Sequence, residues 1–134
     1  MIIWGGGNAS GLTNTGSRYD PAGDSWSAVS AAGAHFGRGV WTGSEVLVVN
    51  PDGTGARYYN PADNRWTDVT TIRGALAART AHTAVWTGSE MILWGGQNSR
   101  GPVKGSGRYH PAENRWTTVD PNGAPAARSL HTAV

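Results

Sequence analysis

The 134-residue sequence contains no cysteine, one phenylalanine and one lysine. The absence of cysteine excludes disulfide bridges and thiolate metal sites. No apolar run approaches the roughly 20 residues that a membrane-spanning helix needs, and no basic segment followed by an apolar one indicates a signal peptide. We therefore expect no membrane partner, and the sequence leaves the cellular location open.

Charge is also scarce in this chain. Charged residues make up 15% of it, and the formal net charge is +2. Ten of the eleven basic residues are arginines, which are scattered along the chain and form no basic run. A nucleic-acid surface usually carries a clustered basic stripe, so we expect no nucleic-acid partner. Scattered arginines are more typical of planar, bidentate contacts between structural units.

Glycine, tryptophan and internal repetition are abundant instead. The string YNPADNRW at 59–66 recurs as YHPAENRW at 109–116 and, less closely, as YDPAGDSW at 19–26. The string MILWGG at 91–96 likewise repeats MIIWGG at 1–6. Repeats with a period of 20–50 residues are typical of solenoids, propellers and arrays. The repetition therefore sets the architecture before any local pattern is considered.

The best-formed repeat predicts four short strands and no helix. Residues 82–86 and 115–119 alternate between apolar and polar in the manner of strands, 91–94 is a short apolar run, and 107–109 is the remaining strand. The polar stretch 97–104 predicts a loop. Four short antiparallel strands in roughly 45 residues make one blade of a β-propeller. We therefore expect an all-β chain.

Residues that recur at matching positions have structural roles in this interpretation. The double glycine follows the second strand, where it allows backbones to approach closely. Tyrosine and tryptophan seven residues apart lie on neighbouring strands, where we expect them to pack between blades with their polar tips hydrogen bonded. These motif residues are Gly5, Gly6, Tyr19, Trp26, Tyr59, Trp66, Gly95, Gly96, Tyr109 and Trp116.

The order and spacing of the glycine pair, the tyrosine and the tryptophan resemble the kelch repeat. This resemblance extends over essentially the whole chain. The string HTAVWTGSEMILWGG at 82–96 is similar to bacterial kelch repeats of the galactose-oxidase central-domain type. The resemblance implies a kelch-type β-propeller, present here as a three-repeat fragment or an engineered piece. It does not imply copper-radical chemistry, because galactose oxidase uses a tyrosine cross-linked to a cysteine and this chain has no cysteine.

Aligned repeats give three blades, one of them divided between the two ends of the chain. Residues 1–30 supply strands two to four of the divided blade, 35–70 and 81–120 form the other two blades, and 131–134 supply strand one. Propellers have roughly four to eight blades, so we expect two copies to close a six-bladed homodimer by two-fold rotation. A nine-bladed homotrimer is the alternative. The residues expected at the closure are Met1, Ile2, Ile3, Trp4, His131, Thr132, Ala133 and Val134.

A repeated Arg-x-x-His motif is the best candidate for a ligand site. Arg79 and His82 form one copy, and Arg128 and His131 form another. The resemblance places both copies near a mouth of the propeller channel. Guanidinium and imidazole donors suit a carboxylate, sulfate or phosphate, and imidazoles alone can also ligate a metal.

A structural role for the same motif is the alternative. These side chains would then bond carbonyls between blades and the carboxylates of Glu45 and Glu90. The first complete repeat lacks the motif, since Ala34 and Gly37 occupy the matching positions. His110 and His35 are expected in loops.

No established catalytic motif is present. We therefore expect a non-enzymatic module without a cofactor or a resident metal. Its function would be that of a scaffold that binds a protein or an acidic small ligand, in addition to a second copy of itself. The alternative is part of a propeller enzyme or carbohydrate-binding protein whose site lies at the channel mouth.

Overall fold

The computed structural model describes residues 1–31, 37–50, 53, 55–69, 72–74 and 76–134. These residues form short β-strands and no helix, so the predicted all-β class is confirmed for them. The strands assemble into several small antiparallel sheets. Because the described residues contain no helix, none of them forms one that could cross a membrane.

The first unit is a three-stranded antiparallel sheet with a small hairpin attached. Its order is β1-β4-β5, and β2 pairs with β3. Two backbone hydrogen bonds extend the pairing of β1 with β4. Tyr19 N donates to Met1 O at 2.8 Å, and Gly5 N donates to Thr15 O at 3.0 Å. Antiparallel bonding alternates along a strand, so Ile2 and Trp4 turn their backbone groups to the other edge. The strands are β1 (Ile2–Trp4), β2 (Gly7–Asn8), β3 (Gly11–Leu12), β4 (Gly16–Asp20) and β5 (Ser25–Ala28).

The second unit is a four-stranded meander. Each strand pairs with the next one along the chain, in the order β6-β7-β8-β9. Its second strand is a continuous apolar run that is buried over most of its length, as expected for a strand covered on both faces. The strands are β6 (Gly39–Trp41), β7 (Val46–Val49), β8 (Ala56–Asn60) and β9 (Arg65–Val69).

The third unit contains the four strands predicted for it, each within about two residues of the expected bounds, in the order β10-β11-β14-β15. The stretch 97–104, expected to be a plain loop, instead contains the hairpin β12-β13. The Asn98 side chain accepts a bond from Arg100 N at 2.8 Å, and this local bond closes the turn. The strands are β10 (Thr83–Trp86), β11 (Met91–Trp94), β12 (Gln97–Asn98), β13 (Gly101–Pro102), β14 (Ser106–His110) and β15 (Arg115–Thr118).

The tyrosine and tryptophan of each repeat lie directly opposite each other on neighbouring strands, as in Tyr59↔Trp66. Their ring centroids are 5.1, 5.0 and 5.4 Å apart in the three units. The tyrosine hydroxyl donates to the side chain of a turn residue with positive φ, Asp24, Asn64 or Asn114, at 2.7 to 2.9 Å. Asparagine and aspartate tolerate this conformation, which explains the repeated turn sequence.

The sheets pack on one another in chain order. Because side chains alternate across a strand, each sheet has a front face that carries its Tyr–Trp pair and an opposite back face. The back of the first sheet meets the front of the second, where the rings of Trp4 and Trp66 are 5.0 Å apart. The Trp66 indole N–H also donates to Ser30 O at 2.9 Å, on the segment that leaves the first unit.

The main apolar core lies between the back of the second sheet and the front of the third. Burial of each large side chain here contributes about 1.5–3 kcal/mol. Tyr58 packs against this cluster from the back of the second sheet. The core residues are Val40, Leu47, Val49, Ala56, Ile72, Met91, Leu93, Tyr109 and Trp116.

Close backbone approach explains the double glycine of the third unit. Both residues have positive φ, 62° at Gly95 and 94° at Gly96. A Cβ on Gly96 would lie 2.7 Å from Thr80 O, and one on Gly95 would lie 2.7 Å from Arg128 O. Gly101 also has positive φ, but a Cβ there would meet no atom within 4 Å.

We predict that Gly96→Ala destabilises the protein more than Gly101→Ala. Both substitutions force a side chain into positive φ, but only the first also drives it into a backbone carbonyl. The extra loss in the free energy of unfolding should be about 1–3 kcal/mol, measured by urea denaturation. Equal losses in the two variants would show that the approach at Gly96 does not constrain the fold.

Candidate functional site

Arg79 and His82 lie on the segment that enters β10. This segment is held to the start of β12 by paired backbone bonds between Thr80 and Gln97, at 2.8 and 2.9 Å. Both motif side chains are buried, with 5% and 3% of their surface exposed. The fold therefore carries the motif inward at the entry to the first strand of the third unit.

The Arg79 guanidinium is held by backbone carbonyls of its own unit, through its Nε and one terminal nitrogen. It donates to Ala77 O at 3.0 Å, to Gly95 O at 3.3 Å and to Gly105 O at 3.0 Å. Burial lowers the pKa of Arg79, but an arginine remains a cation in proteins. A two-bond contact with a carboxylate would have to share or displace one of these bonds. Arg79 thus bonds backbone carbonyls, as the structural alternative expects, but these carbonyls belong to its own unit and not to a neighbouring one.

Arg128 repeats the local geometry of Arg79 but not its burial. Its Nε donates to Ala126 O at 3.0 Å, as Arg79 Nε does to Ala77 O. Its own carbonyl accepts a bond from Gly96 N at 2.9 Å. The side chain is exposed, and within the described part of the chain its two terminal nitrogens have no partner.

His82 and His131 occupy matching positions on successive segments. The His131 ring lies edge-on to Trp94, with centroids 4.7 Å apart, and its Nε2 is 2.8 Å from Thr83 Oγ1. Neither ring nitrogen of His82 has a hydrogen-bond partner of normal geometry among the described residues. Burial lowers the pKa of His82, and the positive charge of Arg38 lowers it further. His82 is therefore held neutral.

A cavity of about 480 Å³ opens beside His82, between the back of the first sheet and the front of the second. Trp4 and Trp66 form its aromatic wall, and Arg38 lies at its edge. Arg38 Nε donates to His82 O at 3.2 Å. The sequence did not single out Arg38 as a site residue, because the repeats do not share it. The matching position of the third unit holds Thr83.

The missing motif copy of the second unit has a partial explanation. A Cβ on Gly37 would lie 2.0 Å from Val49 O, so the backbone there leaves no room for the histidine found at the matching position 82. Ala34, which matches Arg79, lies outside the described residues. His35 also lies outside them.

Of the two carboxylates expected near the motif, that of Glu90 has other partners. Glu90 accepts from His110 Nδ1 at 2.7 Å and lies 3.8 Å from Arg108, so its expected contact with the Arg-x-x-His motif is wrong. His110 was expected in a loop and is instead the last residue of β14, where it pairs with Arg115 on the neighbouring strand. Among the described residues, no three His, Cys, Asp or Glu side chains are grouped so as to hold a metal ion.

Two sheet faces are open. The front of the first sheet exposes Trp26 (53%) and Ile3 (51%), whereas the matching residues of the third unit, Trp116 and Leu93, are both 4% exposed. These two exposed side chains line a pocket of about 390 Å³. The back of the third sheet has a groove of about 310 Å³ along Trp94. No protein-family profile matches this chain, and no curated protein matches it.

We predict that His82 makes stability depend on pH. The unfolded chain binds a proton at His82 near the ordinary pKa of about 6.5, and the folded chain binds it only at lower pH. The unfolded state thus gains protons first as the pH falls, so stability is complete above about pH 6.5 and declines below it.

Urea midpoints measured between about pH 7.5 and pH 5.5 test this dependence. His82→Gln should lose less stability than the wild type across this range. An acid loss of the same size in both proteins would assign the dependence to other groups.

Proposed function

We propose that this chain forms half of a six-bladed kelch-type β-propeller, which closes by association of two copies and acts as a non-catalytic binding scaffold. Support comes from three sheets that follow one another in chain order and pack back to front. The repeated double glycine, tyrosine and tryptophan add to this, because their offsets resemble the kelch repeat.

The observation that carries the proposal is the unequal burial of equivalent tryptophans. Trp66 is covered by Trp4 and by Ser30 of the preceding unit. Trp116 is buried in the core beneath the second sheet, whereas Trp26 is 53% exposed. An exposed apolar face of this kind is typical of a surface that binds another protein. The complementary face is the back of the third sheet, since within the chain every covered front meets a back.

Two copies are the simplest arrangement that covers both faces. Each copy contributes three sheets, so a two-fold pair has six, which is inside the usual range of roughly four to eight blades. Three copies would give nine. Isologous two-fold dimers are also the commonest soluble oligomers.

The binding role is assigned to the cavity beside His82. Arg38 supplies a positive charge at its edge, and Trp4 and Trp66 supply an aromatic wall. These groups suit a small ligand that carries a carboxylate next to an apolar part. Arg79 has no part in this role, because backbone carbonyls of its own unit already hold its Nε and one terminal nitrogen.

We predict a particle of twice the 14.0 kDa chain mass in native mass spectrometry at micromolar concentration. Trp26→Glu should raise the dimer dissociation constant at least roughly a hundredfold, because it buries a charge in the apolar interface. Ser99→Glu is the control, since it adds the same charge at an exposed position in the turn between β12 and β13, away from both open faces. A wild-type monomer would reject self-association and leave the open faces to other units of a longer protein.

A further inference from the structure

Building on the self-association proposed above, we infer that the contact between copies repeats the internal contacts residue by residue, with Arg128 as its closing side chain. The Arg128 guanidinium donates to the carbonyls of the partner's Gly5 and the partner's Thr15. Residues 132–134 pair with the free edge of the partner's β1. Three features of the repeat support this inference.

The first match is between Arg128 and Arg79. Both side chains make the same bond from Nε to the carbonyl two residues earlier, at 3.0 Å. That bond orients the guanidinium before any partner binds, which lowers the entropic cost of using it. Arg79 completes its set with Gly95 O and Gly105 O. Arg128 is left with two exposed nitrogens and no such carbonyls in its own unit.

The receiving carbonyls are present on the open side of the first unit. In the repeat, Gly5 matches Gly95, and Thr15 matches Gly105. Both line the open pocket beside Trp26. Gly6 keeps the positive φ of Gly96, at 93°, but a Cβ on Gly6 would meet nothing within 4 Å, whereas one on Gly96 meets Thr80 O. The first unit thus has the backbone shape for an entering segment without the segment.

The second match is the strand register. Within the third unit, Thr83 pairs with Trp94 and Ala84 with Leu93. The same register sets Thr132 against the partner's Trp4 and Ala133 against the partner's Ile3. The free edge of β1 is the one to which Ile2 and Trp4 turn their backbone groups. Open edges of this kind pair readily with another strand.

The third match is aromatic. Trp4 on the back of the first sheet packs on Trp66 at the front of the second, with ring centroids 5.0 Å apart. Trp94 is at the position of Trp4, and Trp26 is at the position of Trp66. Trp94 therefore packs on the partner's Trp26, and the groove along Trp94 receives that ring. Aromatic pairs of this kind stabilise interfaces beyond the area they bury.

Cysteine cross-linking tests the register directly, because the chain contains no native cysteine. Ala133→Cys combined with Ile3→Cys should form an intermolecular disulfide on mild oxidation, since these positions are opposed on one face of the antiparallel pair. Thr132→Cys combined with Ile3→Cys is the matched control. It shifts the pair by one residue and points the thiols to opposite faces, so it should cross-link at least roughly tenfold less.

Measuring the dimer dissociation constant of Arg128 variants tests the role of this side chain. Arg128→Ala should raise it at least roughly tenfold, because two charge-assisted hydrogen bonds are lost. Arg128→Lys should recover only part of the affinity, because lysine has no Nε–H to bond Ala126 O and orient its charge. Arg100→Ala, in the turn between β12 and β13, should leave the constant unchanged.

The outcomes separate the register from the self-association. A dimer in which the control pair cross-links as well as the Ile3–Ala133 pair would overturn the register and leave self-association standing. A trimer with the expected cross-link would keep the register and overturn the six-bladed count. An Arg128→Ala variant that dimerises normally but loses binding of inorganic phosphate would make Arg128 an anion site and overturn its closing role. A wild-type monomer would overturn both proposals.

Discussion

The structure depends on one contact, in which the front of a sheet is covered by the back of the sheet before it. A short antiparallel sheet cannot bury its Tyr–Trp pair by itself, so each unit relies on a neighbour. Tyr109 and Trp116 are almost completely buried where the neighbour is present, and Trp26 is half exposed at the open front. The same repeated side chains thus form a core at one position and, in our proposal, a docking surface at another.

The backbone and arginine contacts at the unit boundaries also recur from one unit to the next. Arg79 satisfies carbonyls at the place where a segment enters its unit, and the glycine pair beside it leaves room for that segment. At the open end, Gly5 and Gly6 keep the same backbone shape, and Arg128 keeps the same local bond. In our proposal, self-association and ligand binding use the same kind of interface, because the cavity at Arg38 also lies between a back and a front face.

Much of the architecture follows from the sequence, because its causes are local. Apolar alternation and short apolar runs predict the strands, and the seven-residue spacing predicts that Tyr59 lies opposite Trp66. The hairpin β12-β13 was missed, because a side-chain bond at Asn98 closes it within a polar stretch. The carbonyl partners of Arg79, the pairing of His110 with Glu90 and the position of Arg38 depend on which units pack together. The kelch resemblance and the blade count stay predictions.

The central claim is that a second copy covers the open side of the first unit, and amide hydrogen exchange at Ile2 and Trp4 tests it most directly. Their backbone groups point to the free edge of β1, where no described strand pairs with them, so an added strand should protect them. The account predicts slow exchange at both amides, comparable with the matching Ile92 and Trp94, and faster exchange on dilution. Rapid exchange at Ile2 and Trp4 at every concentration would contradict it.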